Sequence, residues 1–129
     1  MIVIAIIAIL LAWAMPAYQN YTIRTKVSEA LYLSGPVKLA ITDTFQTAAS
    51  LNPPDFSFNG STYVESIAIA PATGVITVTT RNTGADTDPV LLLTPGDGAG
   101  GAPIPGQPIV WACTLQDGDV RYVPASCRG

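Results

Sequence analysis

Few residue types able to do chemistry occur in these 129 residues, and one type is missing altogether: the sequence has no His. That removes the usual general base near neutral pH, the Ser-His and Cys-His nucleophile pairs and the commonest metal ligand. The two Cys, Cys113 and Cys127, flank an Asp117-Gly118 turn signal. A structural zinc centre takes four Cys or His ligands, so two thiols with nothing else to ligate point to a mutual disulfide. Such a bond closes a loop of about 15 residues and contributes roughly 3 kcal/mol in the chain-entropy description. It also places the domain in an oxidising compartment, periplasmic or extracellular. Asp86-Thr87-Asp88 and Asp117-Gly118-Asp119 pair carboxylates, but neither extends into a calcium-binding loop pattern. Turn chemistry accounts for both. Asn59-Gly60-Ser61 has the form of a glycosylation acceptor, a short pattern that recurs by chance. Trp13, Tyr18 and Tyr21 suit interfacial anchoring or subunit packing better than an electron path. No catalytic, cofactor-binding or metal-binding set emerges, and the expectation is a protein that is not an enzyme and carries no cofactor.

Composition explains what the chain does instead. Hydrophobic residues make up 49% and charged residues 12%, with a formal net charge of −3. Average soluble chains carry about 25% charged residues, so apolar surface must be hidden somewhere other than an ordinary core. Six cationic side chains spread along the sequence cannot form the clustered basic footprint that nucleic-acid binding needs.

The apolar residues concentrate at one end. Met1 to Tyr21 (MIVIAIIAILLAWAMPAYQNY) holds no charge, and the first ionisable side chain is Arg24. A helix hydrophobic all round belongs in a bilayer or inside an assembly, and at about 1.5 Å per residue this one would reach roughly 30 Å, the thickness of a hydrocarbon core. A cleavable signal peptide is the competing reading, which Ala12 and Ala14 permit, but no charged region precedes the apolar run. Pro16 deletes a backbone hydrogen bond to Ala12 and marks a point where the helix can bend, stretch or melt.

Beyond Tyr21 the period changes. Ile23, Val27, Ala30, Leu31, Ser34, Val37, Ile41, Phe45 and Ala48 recur at three- and four-residue steps, while Arg24, Lys26, Glu29, Lys38 and Asp43 fall mostly off that stripe. This predicts an amphipathic helix, continuous with the first, bent at Pro16 and again at Gly35-Pro36 and stopped by Asn52-Pro53-Pro54. Its length of about 70 Å exceeds the width of the remaining domain, so the first half must protrude. Arg24 and Lys26 would favour a cytoplasmic location for the flank of the apolar segment; the disulfide argues the other way and outweighs two charges.

The rest predicts short strands at Tyr63 to Ala70, Val75 to Thr80, Val90 to Leu93, Ile109 to Leu115 and Val120 to Val123, with turns at Thr73-Gly74 and Asp117-Gly118. Between Gly84 and Pro108 lie six Gly and five Pro, which predicts an ordered surface loop over most of that stretch. The expected fold class is α+β: a long kinked N-terminal α-helix whose C-terminal half packs on an antiparallel sheet of about four strands. The expected organisation is a hydrophobic half-helix over 1–21 and a globular head over 22–129, the latter divided into an amphipathic half-helix 22–48, a connection 49–62 and a sheet with its disulfide loop 63–129.

At both ends the residues resemble a known family. Met1-Ile2-Val3, Ala5-Ile6-Ile7, Ile9-Leu10 and the block Pro16-Ala17-Tyr18-Gln19-Asn20-Tyr21 are similar to the N-terminal helix of bacterial type IV pilins of the type IVa subclass. Cys113 to Cys127, with Tyr122-Val123-Pro124-Ala125-Ser126 before the second cysteine, resembles their disulfide-bounded C-terminal loop. The middle matches in layout only. The resemblance implies the type IV pilin fold and a homo-oligomeric helical filament. Its subunits wait in the inner membrane, heads in the periplasm, until pilus assembly machinery extrudes them as an extracellular pilus. In the family the leader peptide, a methylated Phe and a buried Glu precede the position matching Met1, so the sequence is expected to begin inside the mature chain. Ala8 stands where the family commonly has Gly. Ala favours helix by roughly 1 kcal/mol, so melting would centre nearer Pro16.

The implied function is mechanical: a pilus subunit serving adhesion and twitching motility, with DNA uptake or phage attachment as further roles. Ile2, Val3, Ile4, Ile6, Ile7, Ile9, Leu10, Leu11, Trp13 and Met15 are the candidates for filament-core packing. Pro16, Gly35 and Pro36 are the candidate kink or melting positions. Asp97, Gln107, Asp117, Asp119 and Arg121, in the two loops, are the candidates for contacts with surfaces, DNA or phage. The competing classes are a membrane-anchored or secreted periplasmic binding module and a pseudopilin of a type II secretion system, which usually lacks this C-terminal disulfide.

Overall fold

A computed structural model describes residues 1–128. Helix α1 (Ile2–Leu33) and helix α2 (Gly35–Ala48) follow one another with only Ser34 between them. Together they form one bent helix of 47 residues, about 70 Å of helix at 1.5 Å per residue. Helical backbone continues through Pro16. The break at Ser34 has a local cause: Pro36 offers no N–H to the Tyr32 carbonyl one turn earlier, and Gly35 disfavours helix by about 1 kcal/mol relative to Ala. Ser34 itself is buried, and its hydroxyl donates to the Leu31 carbonyl at 2.6 Å, so the bend leaves no orphaned polar side chain.

The four strands β1 (Val64–Ile69), β2 (Ile76–Thr80), β3 (Val90–Gly96) and β4 (Val110–Asp117) lie side by side in chain order as an antiparallel meander. The amphipathic helix covers one face of this sheet. Ile23, Val27, Ala30, Val37, Ile41 and Phe45 present the three-and-four spaced stripe. Ile76, Val78, Leu91 and Leu93 present the alternate residues of β2 and β3, and Val64 and Ile67 join them from β1, where a register shift between Val64 and Ser66 interrupts the alternation. Alternation is clean on β2, buried at Ile76, Val78 and Thr80 and half-exposed between them, as expected where one sheet face is core and the other is wet. Val123 and Cys127 complete the core from the C-terminal segment.

Three expectations are corrected. The stretch Val120 to Val123 is not a strand: Val120–Tyr122 and Ala125–Cys127 are 3-10 turns. Asp119 accepts from the Arg121 N–H and closes i to i+3 bonds to Tyr122, and the bond to Cys127 draws the chain inward before it could pair along β4. Strand β3 runs past Leu93 into Thr94-Pro95-Gly96, inside the Gly/Pro-rich stretch. Pro95 is tolerated because β2 pairing ends at Leu93, and only β4 lies opposite it. Ala48, assigned to the buried stripe, is exposed, since the helix runs beyond the sheet there.

Candidate functional site: an exposed half-helix and two surface loops

All fourteen residues from Ile2 to Met15 are exposed. Trp13 retains 81% of its accessible surface and Ile9 62%. Burial begins only at Ile23, where α1 meets the head. Ordinary monomers rarely show apolar patches beyond a few hundred Å², so a continuous apolar cylinder on a folded head is an unfinished surface awaiting lipid or protein. Its 18-residue window is long and apolar enough to cross a membrane. Ile2, Val3, Ile4, Ile6, Ile7, Ile9, Leu10, Leu11, Trp13 and Met15 all lie on it, on every side of the helix. Pro16 sits within it, whereas Gly35 and Pro36 lie at the second bend, exposed on the helix's outer side.

The head is fastened to α1 just beyond that segment. The Arg24 guanidinium donates through Nη2 to the Arg121 carbonyl at 2.8 Å, tying the helix to the disulfide loop. The Lys26 ammonium sits 5.2 Å from the centre of the Tyr63 ring and reaches the Thr83 carbonyl at 3.4 Å. Glu29 accepts from the Ser61 hydroxyl at 3.0 Å. These charges therefore fix the head on the helix, which is why their sign says little about membrane sidedness.

Cys113 and Cys127 form the disulfide, with Cα atoms 4.6 Å apart. It draws the final turns across β4, with Cys127 fully buried and Cys113 half-buried. Within this loop Asp119 and Arg121 form an exposed ion pair at 2.9 Å. The Arg121 backbone N–H, then its side chain, hold the Asp119 carboxyl below its ordinary range. Asp117 accepts from the Gly118 N–H at 2.8 Å, and Asp88 accepts from the Thr83 backbone N–H and hydroxyl. Each carboxylate of the two Asp pairs with a named acceptor role thus serves a turn.

The second loop is built on two residues. Asp97 accepts from the N–H groups of Ala99 and Gly101, each at 2.8 Å, and these donors hold its carboxyl below the ordinary range. A depressed carboxyl stabilises its partners above its unfolded value and loses them as pH falls through its folded value. The Ala99 and Gly101 amide resonances should therefore stay put through the pH range where a free Asp protonates and move only at lower pH. A midpoint at the ordinary carboxylate value in an NMR titration would contradict this. Further along, the Gln46 side chain on α2 donates to the Gln107 carbonyl at 2.8 Å and accepts from the Gly106 N–H at 3.2 Å. This two-ended clasp, sixty residues away in sequence, holds the Pro-rich segment on the helix. Gln46→Ala should speed hydrogen exchange at 102–108 severalfold while costing the head only about 1 kcal/mol, the net worth of such bonds; unchanged exchange would remove the clasp from the description. Gln107 is exposed and Asp97 half-exposed, on a loop distinct from that of Asp117, Asp119 and Arg121, so the five candidate contact residues fall into two groups rather than one surface. Gln46 carried no signal in the sequence, because an exposed amide on a helix is unremarkable until its partner loop is seen.

A family model described as pilin, of bacterial filaments, matches residues 23–128. The chain belongs to the pilin family. Among its relatives, the fimbrial protein EcpC of Eikenella corrodens is 36% identical over 141 residues, covering 99% of this chain and 85% of that protein. A type IV major pilin protein, PilE1 of Neisseria gonorrhoeae, is 31% identical over 149 residues, covering 99% and 88%. The type IV major fimbrial protein FimA of Dichelobacter nodosus is 52% identical over 46 residues, 36% of this chain and 29% of that protein. The long bent helix on a four-stranded antiparallel sheet is the α+β fold expected of a type IV pilin. A pilin is a structural subunit, one of many identical copies in a filament outside the cell.

Proposed function

We propose that this pilin is held in the inner membrane by residues 1–21, with the head 22–129 in the periplasm, and is then transferred by pilus assembly machinery into a helical filament. In the membrane, lipid solvates Ile2 to Met15. In the filament the same segment of neighbouring subunits replaces the lipid, and van der Waals packing supplies association as in membrane helix bundles. The contact is head-to-tail and does not close on itself, which gives a filament rather than a ring. Pro16 supplies a weak point at which the segment can lengthen within the core, and Gly35-Pro36 sets the angle at which the head rides on it. The loops carrying Asp97 and Gln107, and Asp117, Asp119 and Arg121, are the outward contacts for adhesion, twitching motility, DNA uptake or phage attachment.

The observation that carries this reading is the exposure of every residue from Ile2 to Met15 on an otherwise folded molecule. The test is negative-stain electron microscopy of material sheared from expressing cells, with intact-mass analysis. Filaments several nanometres wide whose subunit retains Met1 to Met15 are expected. A soluble monomer beginning near Ala17 would make that segment a discarded signal.

A further inference from the structure

We propose that Asn59 is a site of spontaneous deamidation, which writes an additional negative charge onto the head as each subunit ages. The sequence holds four Asn, at positions 20, 52, 59 and 82, and the reaction needs the next residue's backbone nitrogen to reach the side-chain carbonyl carbon. Asn20 lies inside α1, where the following N–H is committed to the helix. Asn52 precedes Pro53, which has no N–H to give. Asn82 donates its amide to the Thr62 carbonyl at 3.2 Å, and the following Thr83 N–H is held by Asp88 at 3.1 Å. Asn59 alone is exposed, lies outside any helix or strand, and precedes a glycine. The Gly60 N–H has no acceptor among the described residues, and Gly60 adopts φ +80°, with no Cβ to obstruct ring closure.

The chemistry balances without any partner but water. The Gly60 nitrogen gives up its proton to base and bonds to Cγ of Asn59; the Cγ–Nδ2 bond breaks, and Nδ2 leaves as ammonia with that proton. Water then opens the five-membered imide at either carbonyl, leaving aspartate or isoaspartate. Either product adds one carboxylate to a chain of net charge −3. The residue after Asn59 lies against Arg81, whose Nη2 is 3.6 Å from where a Cβ on residue 60 would sit and which already donates to the Ser61 carbonyl. Enzymatic glycosylation is the other use of Asn59-Gly60-Ser61, but the Ser61 hydroxyl is engaged by Glu29 and by the Val64 N–H. The two Asp-Gly steps are poorer candidates for the same ring closure, since the Asp97 carboxylate is occupied by two N–H donors and Asp117 by one. An ionised carboxylate is also the weaker electrophile.

The test incubates the full chain in detergent micelles in mildly alkaline and mildly acidic buffer and follows residue 59 by peptide mapping with isoaspartyl labelling. A gain of about one dalton at residue 59 is expected, rising with time and faster in alkali, with isoaspartate in excess. Asn59→Gln, whose ring would be six-membered, should abolish it. The denatured chain serves as the reference. If residue 59 converts there but stays an amide in the folded protein, or if the gain maps to Asn82 instead, the proposal is overturned.

Discussion

Ile9→Lys abolishes filaments and leaves the head folded. Ile9 lies two turns inside the exposed half-helix and touches nothing in the head. A lysine at the centre of a membrane-spanning helix costs about 3 kcal/mol, which at 1.4 kcal/mol per tenfold is on the order of a hundredfold in the governing equilibrium. The penalty recurs at every subunit, whether the segment is surrounded by lipid or by its neighbours. The head core runs from Ile23 to Cys127 and never meets position 9, so the head's melting transition in detergent should not move. Ile9→Leu, which conserves volume, should keep filaments. Filaments of normal yield from the lysine variant, counted by electron microscopy, would show that the apolar surface serves some other end.

The double replacement Cys113→Ser, Cys127→Ser costs the head about 2–5 kcal/mol, the usual loss for a native disulfide. The loss falls on more than chain entropy. Val123 and Cys127 are core residues held in place by that bond, and the Arg24 contact to Arg121 is fastened to the same loop. Freeing the loop also uncovers β4, an edge strand that offers unpaired backbone groups to other chains. Thermal melting of the detergent-solubilised protein should fall by on the order of 10 °C, and reducing the wild type should reproduce the shift. A change of no more than a degree or two in both would mean that the loop is held by its packing alone.

The parts legible in the sequence are those where one period governs many residues. Ile23, Val27, Ala30, Val37, Ile41 and Phe45 repeat at helical steps, and each is buried. Ile76, Val78 and Thr80 alternate on a strand wet on one face. Elsewhere a single long-range constraint overrides local preference. Val120-Arg121-Tyr122-Val123 has strand character from its two Val and its Tyr, yet the Asp119 cap and the bond to Cys127 turn it into 3-10 geometry. Thr94-Pro95-Gly96 has loop composition, yet β4 recruits it because pairing on the other side has already ended. The roles of Arg24 and Gln46 rest on partners 97 and 61 residues away, a separation at which no spacing rule operates.

Helical reconstruction of sheared filaments by cryo-electron microscopy addresses the packing mechanism most directly. The expected map has Ile2 to Met15 of each subunit in the filament core against the same segment of its neighbours, with the heads and both loops outside. A filament joined through the heads, with Ile2 to Met15 missing or turned to solvent, would contradict it.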